Sequence, residues 1–190
     1  MPEIAPPEVF AKFTREQAED YDEWDRMPVM LTLYYEDGQL NVGHVVGLSG
    51  DAADFPEMIM HAWAKIMADS MDEDPPCGFL IQFEGWGVVE DSHERTAEER
   101  AQLREDARAR RIHTRDDKIE ALSVVCADVR GHMWAAHKVR GEDEISEEHW
   151  GPGEPNPQRR TNMGAVMLAI AAGVGMAKWN IVPAFMGGSN

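Results

Sequence analysis

Two groups of residues have the side chains needed for proton transfer. Glu84 stands two residues before Trp86, and a carboxylate held against an aromatic ring has a raised pKa suited to acid–base chemistry. His113 precedes Asp116 and Asp117, so an imidazole and two carboxylates lie close together along the chain. Neither group has a second partner at a defined spacing. The sequence therefore predicts no catalytic residues, and a small metal-dependent hydrolase or nuclease is kept as an alternative.

Metal-ligating and nucleophilic residues are also present, but their spacing fits no known type of site. Glu57 and His61 are four residues apart and share a helix face, which supplies two ligands and not a complete site. His132 and His137 are five residues apart, and an odd separation places them on opposite faces of a strand. Cys126 can face His137 across a hairpin, but its valine neighbours indicate a buried thiol. We expect no metal and no cofactor.

An acidic tract between residues 16 and 25 is the main candidate for a partner-binding surface. Six of its ten residues are acids, with Tyr21 and Trp24 between them. Such a surface can fill a basic groove on a protein or imitate the charge of DNA, and the simpler alternative is the solvated face of an amphipathic helix. The acids of the tract are Glu16, Glu19, Asp20, Asp22, Glu23 and Asp25. Acids that extend this charge are Asp51, Asp54, Glu57, Asp69, Asp72, Glu73 and Asp74.

A basic cluster follows later in the chain. Residues 107–115 contain no acid, and Arg159 and Arg160 form a second, smaller group. Phosphate contact is one interpretation. Pairing with a helix C-terminus and with nearby acids is favoured, because no aromatic residues alternate with the arginines to stack on bases. The basic cluster consists of Arg108, Arg110, Arg111 and Arg115.

The charge distribution limits the partners of the whole chain. The formal net charge is −17, and residues 1–94 account for all of it with 21 acids against 4 bases, whereas residues 95–190 have 14 of each. A chain this acidic is repelled by nucleic acids and by anionic membranes. We therefore expect a protein partner with a basic surface, and neither nucleic acid nor membrane.

Cysteine content and apolar stretches indicate the compartment. Cys77 and Cys126 are the two cysteines, and they lie far apart in the sequence without a metal-binding spacing. This favours two reduced thiols in a cytoplasmic protein over a disulfide in a secreted one. The first eight residues lack the basic and apolar segments of a signal peptide. The apolar stretch 163–176 is shorter than the roughly 18 to 20 residues that a bilayer requires. We expect a cytoplasmic protein, in the host cytoplasm if a phage encodes it.

Periodicity predicts the elements of the first half. Apolar residues at spacings of three and four predict a helix over 10–24, and β-forming residues around Asp37-Gly38 predict a hairpin over 29–46. Asp54 and Glu57 form a capping box that opens a helix to residue 67. A strand over 77–89 follows, and its apolar residues on both faces predict a central position in the sheet.

The second half begins with a polar segment. Thr96 and Glu99 form a capping box, but residues 97–111 are polar on every side, which indicates either a solvated helix or a disordered insert. Alternation over 118–127 and 132–140 predicts a second hairpin. Residues 141–160 are rich in acids and proline and are predicted to be a loop. The last helix, from 163 to about 173, has a stripe of small residues that allows close packing, namely Ala165, Ala169 and Gly173.

These elements predict a single α+β domain over residues 1–190. One antiparallel sheet of about five strands is flanked by helices, in the order helix, two strands, helix, strand, two strands, helix. A charged insert at about 92–116 precedes the last two strands, and the acidic loop at about 141–160 follows them. This order resembles the roadblock and longin type of profilin-like domain, and that resemblance implies a dimerising platform for protein partners.

A second resemblance covers part of the chain. Phe83-Glu-Gly-Trp86, residues 112–121 and Val139-Arg-Gly141 form a pattern similar to that of uncharacterised small proteins of actinobacteria and their phages. It implies an accessory or regulatory role and no catalytic residues. The sequence thus predicts a non-catalytic, acidic, homo-oligomeric protein-interaction module. The alternatives are an inhibitor that mimics DNA and the metal-dependent hydrolase or nuclease.

Overall fold

The centre of the molecule is one antiparallel sheet of six strands. The computed structural model describes residues 3–49, 55–69, 74–88, 95–152, 154 and 162–181. The strands are β1 (Val29–Glu36), β2 (Gln39–Gly47), β3 (Gly78–Gly87), β4 (Ile119–Asp128), β5 (Met133–Val139) and β6 (Ile145–Trp150). The helices are α1 (Pro7–Glu19), α2 (Phe55–Asp69), α3 (Ala97–Arg108) and α4 (Asn162–Lys178). Across the sheet the strand order is β2-β1-β3-β4-β5-β6.

The predicted α+β class and the order of the elements are confirmed, with one correction to the strand count. The sheet has six strands because β6 lies inside the segment that was predicted to be a loop. Its acids conceal the strand pattern, but they suit an edge strand, where charged side chains point to solvent and discourage pairing with other chains. β3 occupies an interior position between β1 and β4, as its two apolar faces predict.

Alternation along the strands divides the core between the two faces of the sheet. On one face α1 packs against β4 and β5, and the Phe10 ring stacks on Trp134 at a centroid distance of 5.0 Å. On the other face α2 and α4 pack against each other and against the sheet. Side chains of the first core include Leu31, Leu33, Leu80, Leu122, Val124 and Cys126. Those of the second include Met30, Phe79, Ile81, Val125, Ala127 and Met133.

The first helix is shorter than the periodicity predicts. α1 ends at Glu19, and the buried Tyr21 and the half-buried Trp24 belong to the segment that follows it. The Lys138 ammonium donates hydrogen bonds to the carbonyl oxygens of Glu19 and Tyr21, at 3.3 and 3.1 Å. A cation at this position satisfies the terminal carbonyls and complements the helix dipole. The aromatic spacing that suggested a longer helix therefore reflects burial of a turn.

The polar segment after β3 contains a helix. The predicted capping box at the start of α3 is present, with Glu99 N–H donating to Thr96 Oγ1 at 3.2 Å and Thr96 N–H donating to Glu99 at 2.7 Å. α3 ends before residue 111 because Arg110 adopts a left-handed backbone with φ of 57°. Residues 92–94 of the predicted insert lie outside the described residues.

Within the part of the chain that the structure describes, no helix has both the length and the apolarity needed to cross a bilayer.

Candidate functional site

The predicted acidic surface at residues 16–25 is largely paired with basic side chains of the same chain. Five of its six acids form ion pairs, whereas Asp20 forms none with the described residues. The pairs are Lys12 with Glu16 (3.5 Å), Arg15 with Glu19 (2.6 Å), Arg26 with Asp22 (3.7 Å) and Glu23 (2.5 Å), and Arg140 with Asp25 (3.3 Å). These pairs are solvent-exposed, so each contributes little to stability, but together they reduce the charge that this tract offers to a partner.

Glu84 anchors the segment after α1 to β3. Its carboxylate accepts a hydrogen bond from the Tyr21 hydroxyl and two more from the backbone N–H groups of Asp25 and Arg26, at 2.9 and 3.1 Å. Burial and the hydrogen bond to Glu84 raise the pKa of Tyr21 well above its usual value. Trp86, the predicted aromatic wall, has the Lys118 ammonium 4.9 Å from its ring centroid. Glu84 is therefore engaged in holding a turn.

Three carboxylates meet at this point, and one guanidinium pairs with two of them. Ligand oxygens of Asp25, Glu84 and Glu120 lie within 4.8 Å of one another. Arg140 donates to Glu120 at 2.7 Å and to Asp25 at 3.3 Å, and its guanidinium lies 5.3 Å from the centroid of the Trp24 ring. This arrangement is an ion-pair network in which Arg140 binds two of the three carboxylates and backbone N–H groups bind the third, Glu84.

The basic cluster is also paired internally. Arg111 and Arg115 converge on Asp106, at 3.0 and 2.8 Å, and their hydrogen bonds lower the pKa of that carboxyl. Arg115 also donates to Asp117 at 2.7 Å, which lowers the pKa of Asp117. These contacts agree with the interpretation that the arginines serve the structure of the segment after α3.

The remaining members of these groups are exposed. Arg108 and Arg110 lie on the surface, as do His113 and Asp116. The His113 carbonyl accepts a hydrogen bond from Lys118 at 2.6 Å, which fixes the backbone and leaves the imidazole uninvolved in that contact. His113 and Asp117 thus have separate roles and do not form an acid–base pair with a defined geometry.

An acidic cleft that the sequence did not indicate lies beside the β1–β2 turn. It encloses about 910 Å³ between the N-terminal segment, the turn and the residues that lead into β3. Four exposed carboxylates line it, and Tyr34 and Tyr35 form part of its wall. Among the described residues, no lysine or arginine lines the cleft or pairs with these four acids. The carboxylates, which we call the cleft acids, are Glu3, Glu36, Asp37 and Asp74.

The turn itself explains how two cleft acids are presented. Asp37 and Gly38 have φ of 52° and 81°, the left-handed values that the predicted two-residue hairpin turn requires. This backbone places Glu36 at the end of β1 and Asp37 at the exposed tip. Glu3 and Asp74 are brought to the cleft by other segments, and no local sequence pattern signals that convergence.

Some of the predicted charged residues lie outside what the structure describes. They are Asp51, Asp54, Asp72, Glu73, Arg159 and Arg160, together with the side chain of Asp69.

The predicted small-residue stripe lies on the outer side of α4. Ala165 and Ala169 are exposed, and no atom lies within 4 Å of a Cβ built on Gly173. The close approach to the rest of the chain occurs instead at Gly175, where a Cβ would lie 2.3 Å from the carbonyl oxygen of Val129. Among the residues that the structure describes, the stripe therefore packs against no neighbour, and a homo-oligomeric contact there stays a prediction.

The histidines and cysteines fall on the two faces of the sheet. His132 and His137 do lie on opposite faces, and burial lowers the pKa of His137, whose Nδ1 is 3.0 Å from Ser123 Oγ. Cys126 does not face His137, because it packs in the core beneath α1, where burial raises its pKa. Burial likewise raises the pKa of Cys77 to about 11. Neither thiol is suited to nucleophilic attack at neutral pH.

The pair on α2 remains incomplete as a metal site. Glu57 and His61 border a shallow cavity of about 280 Å³ with Met60 and Val166. No third metal-ligating side chain joins them among the residues that the structure describes.

Comparisons with protein-family models, with curated proteins and with solved structures find no match for this chain. The resemblances drawn from element order and from the pattern at residues 83–141 stay predictions. The functional conclusion rests on the geometry and the charge of the described residues.

Proposed function

We propose that this chain is a non-catalytic protein-interaction module whose acidic cleft binds a basic segment of a partner protein. The observation that carries the proposal is the contrast between the cleft acids and the acids at residues 16–25, Glu84 and Asp106. The acids at residues 16–25 other than Asp20, together with Glu84 and Asp106, have basic or hydrogen-bonding partners in the same chain. The four cleft acids have no ion-pair partner among the described residues and share one concave surface.

The cleft suits lysine or arginine side chains. Carboxylates around a cavity make charge-assisted hydrogen bonds to ammonium and guanidinium groups. Tyr34 and Tyr35 also line the cleft beside these carboxylates. The net charge of −17 steers a basic partner toward the chain over longer distances and repels polyanions.

The two alternatives have weaker support. A DNA mimic needs a continuous array of unpaired acids, but Lys12, Arg15 and Arg26 form ion pairs with acids of the tract at 16–25. A hydrolase or nuclease needs convergent groups around an open position, but backbone N–H groups bind Glu84, and Arg140 binds the neighbouring Asp25 and Glu120.

Binding of a basic probe tests the proposal. A fluorescein-labelled oligolysine peptide is titrated with the wild-type chain and with a triple variant of the cleft, Glu36→Gln, Asp37→Asn and Asp74→Asn. Asparagine is chosen at position 37 because it tolerates the left-handed backbone there. We expect the dissociation constant, measured by anisotropy, to rise at least about tenfold in this variant, or about 1.4 kcal/mol.

A matched control removes the same charge elsewhere. Glu142→Gln, Asp143→Asn and Glu144→Gln neutralise three exposed acids in the turn between β5 and β6. This turn lies at the opposite edge and the opposite end of the sheet from the cleft. We expect the control to bind the peptide nearly as well as wild type. Equal losses in the two triple variants would show that only net charge matters and would reject the cleft as the site.

A further inference from the structure

The strand β2 forms the edge of the sheet opposite β6, and among the described residues no strand pairs with its outer side. It is the one strand of the six without an Asp, Glu, Lys or Arg residue. Charged side chains commonly protect edge strands from pairing, as the acids of β6 do at the other edge. We propose that β2 pairs in antiparallel orientation with β2 of a second copy of this chain and joins two sheets into one.

Hydrogen bonds to β1 show which backbone groups of β2 point outward. Gln39 lies opposite Glu36 beside the two-residue turn, and residues in that position bond to each other. At the other end, the Leu48 N–H donates to the Pro28 carbonyl at 2.7 Å. Backbone groups alternate in direction along a strand, so the residues between these ends alternate as well. The residues whose backbone groups point away from β1 are Leu40, Val42, Val45 and Gly47.

A bulge makes this outward set symmetric. The register of β1 and β2 shifts between Leu31 and Leu33, so two residues of β2 separate Val42 from Val45. With a two-fold axis between residues 43 and 44, Val42 lies opposite Val45 of the other copy, and Leu40 lies opposite Gly47. Each outward residue then meets an outward residue, as antiparallel hydrogen bonding requires. A regular strand of another protein would lose register at the bulge, so the spacing favours a second copy.

An apolar strip runs along the same edge. Val42 and Val45 lie opposite two leucines of β1 whose side chains belong to the core beneath α1, so both valines are on that face of the sheet. They are 43% and 60% exposed. Met27 is 59% exposed and covers Gly47, where a Cβ would lie 2.9 Å from its sulfur. Pairing of β2 with its copy brings the two strips side by side and removes apolar area from water.

The antiparallel arrangement keeps the acids of the two copies apart. Glu36 and Asp37 lie in or beside the turn that begins β2, and the two-fold axis places the two turns at opposite ends of the pair. They are then about 40 Å apart at about 3.3 Å per residue. That distance exceeds the Debye length of about 8 Å at physiological salt. Because the other edge carries the acids of β6, assembly ends at a dimer.

Sedimentation velocity of the whole chain over a concentration series tests this contact. Wild type is compared with Val45→Lys and with Ala169→Lys, which adds the same charge to an exposed residue of α4. We expect wild type and Ala169→Lys to dimerise alike, and Val45→Lys to raise the dimer dissociation constant at least about tenfold. Added salt should strengthen the dimer by screening repulsion between two copies of charge −17, whereas it should weaken peptide binding at the cleft.

The opposite ranking of the two variants would assign the dimer to the small-residue stripe of α4 and overturn the proposal. A wild type that is monomeric at every concentration would overturn it as well. Neither result depends on whether the cleft binds oligolysine, so the two proposals fail separately.

Amide hydrogen exchange of the wild type, followed by NMR, keeps the test valid if a variant folds poorly. We expect the N–H groups of Val42 and Val45 to exchange rapidly in dilute protein and to become protected as the dimer forms. The N–H of Val46 faces β1 and should be protected throughout. Protection of Val42 and Val45 at every concentration would mean that the same chain covers the edge. Rapid exchange at every concentration would mean that no second copy pairs with it, and either result contradicts the proposal.

Discussion

The Tyr21 hydroxyl donates a hydrogen bond to the Glu84 carboxylate, and this contact joins the segment after α1 to β3. Two backbone N–H groups of the same segment, from Asp25 and Arg26, bind the same carboxylate. Asp25 adopts a left-handed backbone with φ of 67°, which lets the turn close over Glu84. One acid that appeared suited to catalysis thus organises the end of the predicted acidic tract.

Tyr21→Phe should destabilise the fold in a manner that depends on pH. Loss of the hydrogen bond to Glu84 is expected to cost about 1 to 2 kcal/mol in urea unfolding near pH 8. The folded chain raises the pKa of Tyr21 above its usual value of 10.0, so the folded state retains the phenol proton longer than the unfolded state. The stabilisation that the Tyr21–Glu84 hydrogen bond contributes is fully present below about pH 10, and it declines as the pH rises above that value. The difference between wild type and variant should therefore shrink at high pH, and a constant difference would contradict this role.

Replacement of two glycines of α4 by alanine should change the stability of the fold in opposite directions. In Gly175→Ala the new methyl group would lie 2.3 Å from the Val129 carbonyl oxygen. Relief of this clash requires displacement of backbone atoms, which costs free energy. We expect a loss of about 2 kcal/mol or more in the free energy of unfolding. In Gly173→Ala the methyl group meets nothing within 4 Å, and the better helix propensity should add about 0.5 to 1 kcal/mol. Urea titration of both variants measures the difference. Equal effects would contradict the packing of α4 in which Gly175 contacts Val129 and Gly173 does not contact a neighbour.

Asp128→Ala should be among the most damaging polar substitutions in the chain. The fully buried carboxylate accepts hydrogen bonds from the Arg130 guanidinium at 2.7 Å and from the backbone N–H groups of Arg130 and His132. Its removal leaves a cation and two N–H groups without their acceptor, at an expected cost of about 3 kcal/mol or more. Asp117→Ala is the control, because Asp117 also binds an arginine but is exposed, and its loss should cost much less. Thermal unfolding of the pair checks the ranking.

Local sequence patterns predicted most of the fold. The Asp37-Gly38 turn, the capping box at Thr96 and the alternation around Arg130 each depend on residues within a few positions of one another. Because those interactions form within one element or one turn, they can be recognised without knowing the rest of the chain. β6 was missed because its acids mask an edge strand, and the extent of α1 was overestimated because a buried turn imitated helical spacing.

Side-chain partners were decided by the tertiary structure. The sequence established the charge of the chain and the separation of its acids from most of its arginines. Only the strand order and register brought Arg140 to Asp25, placed Asp74 near Glu36, and set His149 against His132. Such contacts join residues that are remote in sequence, and no local periodicity encodes which of many acids or histidines will meet. Composition alone therefore indicated an acidic protein, and the packing of the sheet determined which acids remain open to a partner.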